Sequence, residues 1–233
     1  MFTGIVEELG HIAAQESHGD VLRLRIAASH VTSDLKIGDS IAVNGTCLTA
    51  VRIDHEEHEP AARESPPAAF FEVELVPETL RRTSLGAVGI GGAVNLERSV
   101  TPTTRMGGHF VQGHVDGLGE VVKREADGEG GSLMLTITAP ASVMPYVVPK
   151  GFIAIDGTSL TIVDRQSDRF RVALIPHTLD QTIAGDYHPG RPVNLEADIL
   201  GKYVAQLVAD GALAAATPST TTPSAPVAGE GSS

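Results

Sequence analysis

A chain of 233 residues, 42% hydrophobic and 20% charged, carries enough apolar material for one large or two small domains and lacks the composition of a disordered chain. Its formal net charge of −12 at pH 7 argues against a nucleic-acid partner, because a phosphate backbone would be repelled. The lone cysteine, Cys47, rules out an intrachain disulfide and fits a reducing compartment. The residues from Met1 to Glu7 lack the basic segment and apolar run of a secretion signal, and no apolar run approaches the ~20 residues that span a bilayer. A soluble cytoplasmic protein with no membrane contact is expected.

In chain order, Leu22-Arg23-Leu24-Arg25-Ile26 alternates apolar and polar side chains and predicts a half-buried strand. Asn44-Gly45 predicts a tight turn between strands. The segment from His55 to Ala69 is polar, acidic and proline-containing, which predicts a surface loop. Phe70 to Val76, Leu133 to Thr138 and Phe170 to Ile175 again read as strands, with a second turn at Asp156-Gly157. Pro192 stands where a strand can start, since its missing N–H costs little there. The period then changes. Ile199, Leu200, Tyr203, Val204, Leu207 and Val208 share one helical face, with Asp198 as candidate N-cap and Gly211 as candidate stop. That apolar stripe predicts packing against another subunit. Beyond about Ala214 the chain is Ala, Thr, Pro, Ser and Gly without periodicity, and a disordered tail is expected.

An internal repeat organises the chain. Gly4-Ile5-Val6 followed by Gly10 recurs as Gly113-His114-Val115 followed by Gly119. Val43-Asn44-Gly45-Thr46-Cys47-Leu48-Thr49 recurs as Ile155-Asp156-Gly157-Thr158-Ser159-Leu160-Thr161. Val76-Pro77-Glu78-Thr79-Leu80 recurs as Ile175-Pro176-His177-Thr178-Leu179, and Val94-Asn95-Leu96-Glu97 as Val193-Asn194-Leu195-Glu196. The pairs keep their order at separations of 109, 112, 99 and 99 residues, so the first copy carries extra length near the 55–69 segment. About six short strands in a unit of roughly 100 residues favour a small closed barrel, which hides strand edges. The fold class expected is all-β: two similar six-stranded antiparallel β-barrels in tandem, residues 1–100 and 101–198, then a helix over 199–213 and a tail over 214–233.

Chemistry-bearing motifs are sparse. No nucleotide-binding glycine fingerprint, phosphate loop or nucleophile elbow is present. His109 and His114 have no third ligand at convincing spacing, so no metal site is expected. What remains is a set of small polar residues at equivalent places in both copies: Cys47 with Thr49, Ser159 with Thr161, and Thr79 with Thr178. Singly, each reads as a buried thiol or a hydroxyl bonded to backbone. Jointly, they suggest two similar pockets.

The opening Met-Phe-Thr-Gly-Ile-Val, the stretch Asn44 to Thr49, the stretch Gly107-Gly108-His109-Phe110-Val111-Gln112-Gly113-His114-Val115 and the stretch Lys150 to Thr161 resemble riboflavin synthases, and the similarity runs from Met1 to about Val208. The resemblance implies two lumazine-binding barrels, a helix that trimerises the chain, and one site per barrel. It implies dismutation of two 6,7-dimethyl-8-ribityllumazine molecules by transfer of a four-carbon unit, giving riboflavin and 5-amino-6-(D-ribitylamino)uracil. It implies no external cofactor, a homotrimer whose productive site lies between barrels of neighbouring subunits, and an association with lumazine synthase.

Residue by residue, the resemblance places His114, Ser159, Thr161 and Asp198 as the polar set of the C-terminal barrel, with Cys47 and Thr49 as the N-terminal pair. His114 is expected to transfer a proton or orient the ligand. Ser159 and Thr161 would orient ring polar groups or a nucleophile, and Asp198 would relay a proton or only cap the helix. Gly4, Ile5, Val6, Gly113 and Val115 would line the pockets, with Leu48 and Leu160 on the motif strands and Lys150 reaching polar ligand atoms. Two further stretches match ligand-lining segments in position: Glu74, Leu75, Val76, Pro77, Glu78 and Thr79, and Ala173, Leu174, Ile175, Pro176, His177 and Thr178. Two other readings stand beside the enzyme: a non-catalytic lumazine- or flavin-binding protein on the same fold, and a flavin-dependent oxidoreductase, disfavoured because no nicotinamide-binding domain follows.

Overall fold

The computed structural model describes residues 1–55 and 69–211. The expected loop between His55 and Ala69 and the expected tail lie outside the described residues. Strands β1 (Glu8–His18), β2 (Val21–Ala28), β3 (Ser40–Val43), β4 (Thr46–His55), β5 (Ala69–Leu75) and β6 (Ala93–Arg98) close into a barrel in the order β1-β2-β5-β4-β3-β6. Strands β7 (Gly117–Asp127), β8 (Ser132–Thr138), β9 (Phe152–Ile155), β10 (Thr158–Arg165), β11 (Arg169–Leu174) and β12 (Pro192–Ala197) close into a second barrel of the same antiparallel order. Each barrel buries its own apolar cluster, one around Ile26, Phe71 and Leu96, the other around Ile137, Phe170 and Leu195.

Closure needs bent strands, and the bends fall at homologous places. Register shifts at Ile12/Ala14 in β1 and Ala50/Arg52 in β4 recur at Val121/Lys123 in β7 and Ile162/Asp164 in β10. A bulge of this kind adds local twist, which lets six short strands meet edge to edge. Three helices follow from local chemistry. Pro77 and Pro176 start the short helices α1 (Pro77–Arg82) and α2 (Pro176–Gln181), where a fixed φ and absent N–H suit the first turn. Asp198 caps α3 (Ile199–Ala209), its carboxylate accepting the Leu200 N–H at 3.0 Å.

The two barrels meet across a seam built from the repeated turns. Asn44, Gly45, Asp156 and Gly157 all have positive φ, as the two-residue hairpin requires. A Cβ at Gly45 would lie 2.5 Å from the Gly157 nitrogen, so the two turns stack backbone to backbone and only glycine fits. Around them Asn44 Oδ1 accepts the Asn95 N–H at 2.7 Å, and Asp156 Oδ1 accepts the Asn194 N–H at 2.8 Å. The amides then cross the seam: Asn95 Nδ2 donates to the Asp156 carbonyl and Asn194 Nδ2 to the Asn44 carbonyl, both at 2.8 Å. Asn95 Oδ1 accepts from the Ile183 N–H and Asn194 Oδ1 from the Ser84 N–H, at 2.9 and 2.8 Å. The network is nearly two-fold symmetric and breaks where Tyr187 donates its hydroxyl to Asp156 Oδ2 at 2.6 Å and where Asn95 Nδ2 also reaches Thr158 Oγ1 at 3.4 Å.

Burial pushes the Asp156 carboxyl up to about 6 despite the hydrogen bonds from Tyr187 and Asn194 that oppose the shift. A carboxyl raised on folding stabilises the fold fully only while protonated. Its contribution is present below the ordinary value of 3.8 and is lost as pH rises through about 6. Asp156→Asn, which installs the residue found at position 44, should therefore raise stability at pH 8 by on the order of 3 kcal/mol. The gain should shrink as pH falls from 6 to 4, read by urea unfolding of variant and wild type across that range. A variant no more stable than wild type at pH 8 would contradict the ionisation cost.

Candidate active site

Alternation along β4 and β10 decides which motif residues face outward. Thr46, Leu48 and Ala50 are buried toward the N-terminal barrel interior, while Cys47 is half-buried and Thr49 exposed. Thr158, Leu160 and Ile162 point inward in the second barrel, leaving Ser159 and Thr161 outside. Each barrel thus carries a small polar pair on its outer surface. The side chains of Leu48 and Leu160, and of Leu75 and Leu174 on β5 and β11, fill the cores. At those four expected ligand positions only backbone remains for the outer face.

Two irregular straps dock on Ser159 and Cys47, and each crosses to the other barrel. The segment around Gly4 docks on the C-terminal barrel: the Gly4 carbonyl accepts the Ser159 N–H at 2.8 Å, and a Cβ on Gly4 would lie 2.6 Å from the Ser159 Cβ. The segment around Gly113 docks on the N-terminal barrel: its carbonyl accepts the Cys47 N–H at 2.8 Å, and a Cβ there would lie 2.5 Å from the Cys47 Cβ. Both glycines have positive φ, 77° and 78°. The straps pair at Phe2 and Val111 over a small apolar cluster that includes Ala42, Ala154 and Cys47. His114 therefore belongs to the strap on Cys47, and Ile5 to the strap on Ser159. The set grouped from resemblance as His114, Ser159, Thr161 and Asp198 is divided between the two barrels.

In place of His114, the residue beside Ser159 is His109. Its Nδ1 lies 2.7 Å from Ser159 Oγ, and its ring stacks on Phe152 at 5.3 Å and 8°. Phe152 faces Thr161 across the β9–β10 pair. Among the described residues His109 Nε2 is buried without a hydrogen-bond partner. Burial pulls the His109 pKa down and the Asp198 carboxylate pushes it up, with burial prevailing. The neutral ring can accept the Ser159 hydroxyl proton through Nδ1, which makes Ser159 Oγ a better nucleophile or proton carrier. A cleft of about 370 Å³ between α3 and the second barrel joins Phe152 and Asp198 to Leu200 and Val204.

The remaining expected residues sit at the edges. Lys150 is exposed in the turn before β9, with φ of 68° and its N–H on the Ile162 carbonyl at 2.8 Å. Val6 and Val115 are half-buried on the straps. Val76 and Ile175 are exposed just before α1 and α2, each followed by its proline. Glu74 pairs with Arg23 at 2.6 Å and Glu78 with Arg82 at 2.8 Å, whereas Ala173 and His177 are exposed. The Thr79 and Thr178 carbonyls accept the hydroxyls of Thr83 and Thr182, both at 2.7 Å. A larger cleft, about 640 Å³, runs along the seam between His11, Ser84, Asp186 and Arg191. It includes no residue of either outer-face pair. Sequence reading also missed Glu97 and Glu196, whose buried carboxylates hold the straps; their repetition in the two Val-Asn-Leu-Glu motifs was the available signal.

The Lumazine binding domain family matches twice, over residues 3–99 and 112–198. The chain is 41% identical to the riboflavin synthase of Actinobacillus pleuropneumoniae over 208 residues, covering 89% of this chain and 90% of that one. It is 44% identical to the Mycobacterium bovis riboflavin synthase and 42% to that of Schizosaccharomyces pombe, covering 89% of this chain in both cases and 98% and 94% of theirs. The crystal structure of LumP complexed with riboflavin shares the fold, with a TM-score of 0.72 and 24% identity over 84% of this chain and 99% of that one.

The electrostatics of the histidine can be checked directly. An NMR titration should place the His109 midpoint below the ordinary histidine value of 6.5, and Asp198→Asn should move it lower still by removing the one charge that opposes burial. A wild-type midpoint at or above 6.5 would mean that burial does not prevail over the Asp198 charge.

Proposed function

The chain belongs to the riboflavin synthase family, and from that membership we propose that it converts two 6,7-dimethyl-8-ribityllumazine molecules into riboflavin and 5-amino-6-(D-ribitylamino)uracil. The observation that carries the reading is the repeated outer-face polar pair, Cys47 with Thr49 and Ser159 with Thr161, each closed by a strap from the other half. A reaction between two copies of one molecule needs two places to hold it. Two homologous faces supply them, and fixing both rings in mutual alignment lowers a barrier that free collision would leave high.

In this reading, the electron-poor ring system stabilises a carbanion at its own 7-methyl group, and the chain positions the rings and moves protons. Ser159 and the neutral His109 serve as the proton-handling pair of one face, with Thr161 orienting the ligand and Asp198 steadying the imidazole charge. Cys47 and Thr49 line the other face, and His114 stands on the strap above them. Lys150 and the residues before and within α1 and α2 contribute the periphery. The proposed assembly is a homotrimer in which α3 supplies the contact. Its Leu200, Tyr203, Val204, Leu207 and Val208 are all exposed in the single chain, which supports the proposal. The cross-subunit site and the association with lumazine synthase rest on the family resemblance, the cytoplasmic location on the lone cysteine, and the domain limits at 100 and 198 on the internal repeat.

A non-catalytic lumazine-binding role is the second reading, supported by the fold shared with LumP at 24% identity. An assay with the lumazine as sole substrate decides between them: riboflavin and the pyrimidine should appear in equal amounts, and binding without turnover would favour the second reading. Ser159→Ala should lower single-turnover rates at saturating substrate on the order of a hundredfold. Deleting the chain from Ile199 onward should lower both the light-scattering mass and turnover, whereas an unchanged mass would remove α3 from the assembly.

A further inference from the structure

Of the three buried glutamates among the described residues, Glu72 faces Arg23 and Arg52, whereas Glu97 near the end of β6 and Glu196 near the end of β12 form no salt bridge there. Their partners are the straps. Glu196 Oε1 accepts the Gln112 N–H at 2.7 Å, and its Oε2 accepts the Gly113 and His114 N–H groups, both at 2.9 Å. Glu97 Oε1 accepts the Thr3 N–H at 2.6 Å and the Thr3 hydroxyl at 2.8 Å, and its Oε2 accepts the Gly4 N–H at 3.0 Å. Successive N–H groups around a residue of positive φ form a concave donor array that suits an anion. The straps lie outside the barrel ladders, so without these carboxylates the N–H groups of the buried Thr3, Gly4 and Gly113 would be unpaired.

The direction of the connections matters. Glu196 stands on the C-terminal barrel, yet the strap it holds ends on Cys47 of the N-terminal barrel. Glu97 stands on the N-terminal barrel, yet its strap ends on Ser159 of the C-terminal barrel. We propose that Glu97 and Glu196 are positioning residues acting in trans within the chain, each barrel's glutamate fixing the strap that shapes the other barrel's ligand face. The identification of those faces as ligand faces rests on the function proposed above; the clamp itself does not.

Two acceptor oxygens are required at both places, where burial raises the carboxyl pKa, that of Glu196 to about 7 against the opposing N–H groups of Gln112 and Gly113. Two oxygens present about four acceptor sites in one plane, enough for three converging donors. A glutamine of the same shape has a single acceptor oxygen, and its amide nitrogen would face at least one strap N–H. Substitution by glutamine therefore tests the clamp with little change in volume.

Cys47 makes the test specific, because it is the only cysteine in the chain and lies under Gly113. In the full-length protein, Glu196→Gln should raise the rate of Cys47 alkylation by iodoacetamide on the order of tenfold, while Glu97→Gln should leave it near the wild-type rate. Residue-resolved amide exchange should give the matching pattern, with Thr3 and Gly4 faster in Glu97→Gln and Gly113 and His114 faster in Glu196→Gln. Glu196→Asp keeps the charge but withdraws it by one methylene, and should give an intermediate alkylation rate; it also serves if Glu196→Gln does not fold. In the wild type, the amides of Gly4, Gly113 and His114 should exchange as slowly as those of the barrel strands. Equal alkylation in the two glutamine variants, an increase confined to Glu97→Gln, or loop-like exchange of the three wild-type amides would each overturn the proposal. Failure of the functional reading would look different: the wild type would form no riboflavin whatever the straps did.

Discussion

The constraint on which the molecule depends is the burial of polar backbone at the seam. Gly45 and Gly157 bring two turns so close that no side chain fits between them, and Asn44 and Asp156 beside them are buried. Unpaired, those groups would each cost a desolvation penalty. Asn95 and Asn194 provide the solution, each accepting one N–H and donating to a carbonyl across the seam. Such bonds are directional, unlike apolar packing, so they fix the placement of one barrel against the other. The straps start from that placement: Gly4 reaches Ser159 and Gly113 reaches Cys47 only because the barrels stand where the seam puts them.

The two copies differ where their chemistry has to differ. Cys47 corresponds to Ser159, Ile5 to His114 and Asn44 to Asp156. Tyr187 corresponds to Val88 and supplies the added hydroxyl that Asp156 accepts. His109 sits on Ser159 and stacks on Phe152. A reaction in which identical molecules take unlike parts gains nothing from identical sites. Gly4 and Gly113, Glu97 and Glu196, and Asn95 and Asn194 remain the same residue in both copies.

The legibility of the sequence follows from the range of each interaction. Strand alternation, the two turns, the Asp198 cap and the repeat are local or self-similar, and they led directly to two barrels and a terminal helix. The same alternation contains the correction at Leu48 and Leu160: residues between two outward positions on a strand must point inward. Carrying over a contiguous motif obscured this. The strap crossing was not legible, because nothing in the spacing from Gly113 to Glu196 or to Cys47 tells which barrel receives the strap. His109 was visible only as a histidine beside two glycines. Its meaning comes from Ser159, fifty residues further along, and from the Phe152 ring, neither of which periodicity relates to it. Glu97 and Glu196 were visible as repeated acids at strand ends, but a carboxylate that caps a nest of backbone N–H groups leaves no pattern beyond its recurrence.

Crossed straps give the duplication a physical consequence beyond doubling a pocket. If each barrel closed its own face, either half could bind ligand alone, and linking them would add only proximity. Here the face at Cys47 takes its strap from residues 111–115, and the face at Ser159 takes its strap from residues 2–6. Neither face is complete without backbone from the other copy. Two separate copies would have to meet at a concentration set by their affinity, whereas a single chain holds them at an effective concentration on the order of millimolar. Fusion thus turns an association into a folding event. For chemistry that requires two rings aligned at once, that places both faces in one molecule.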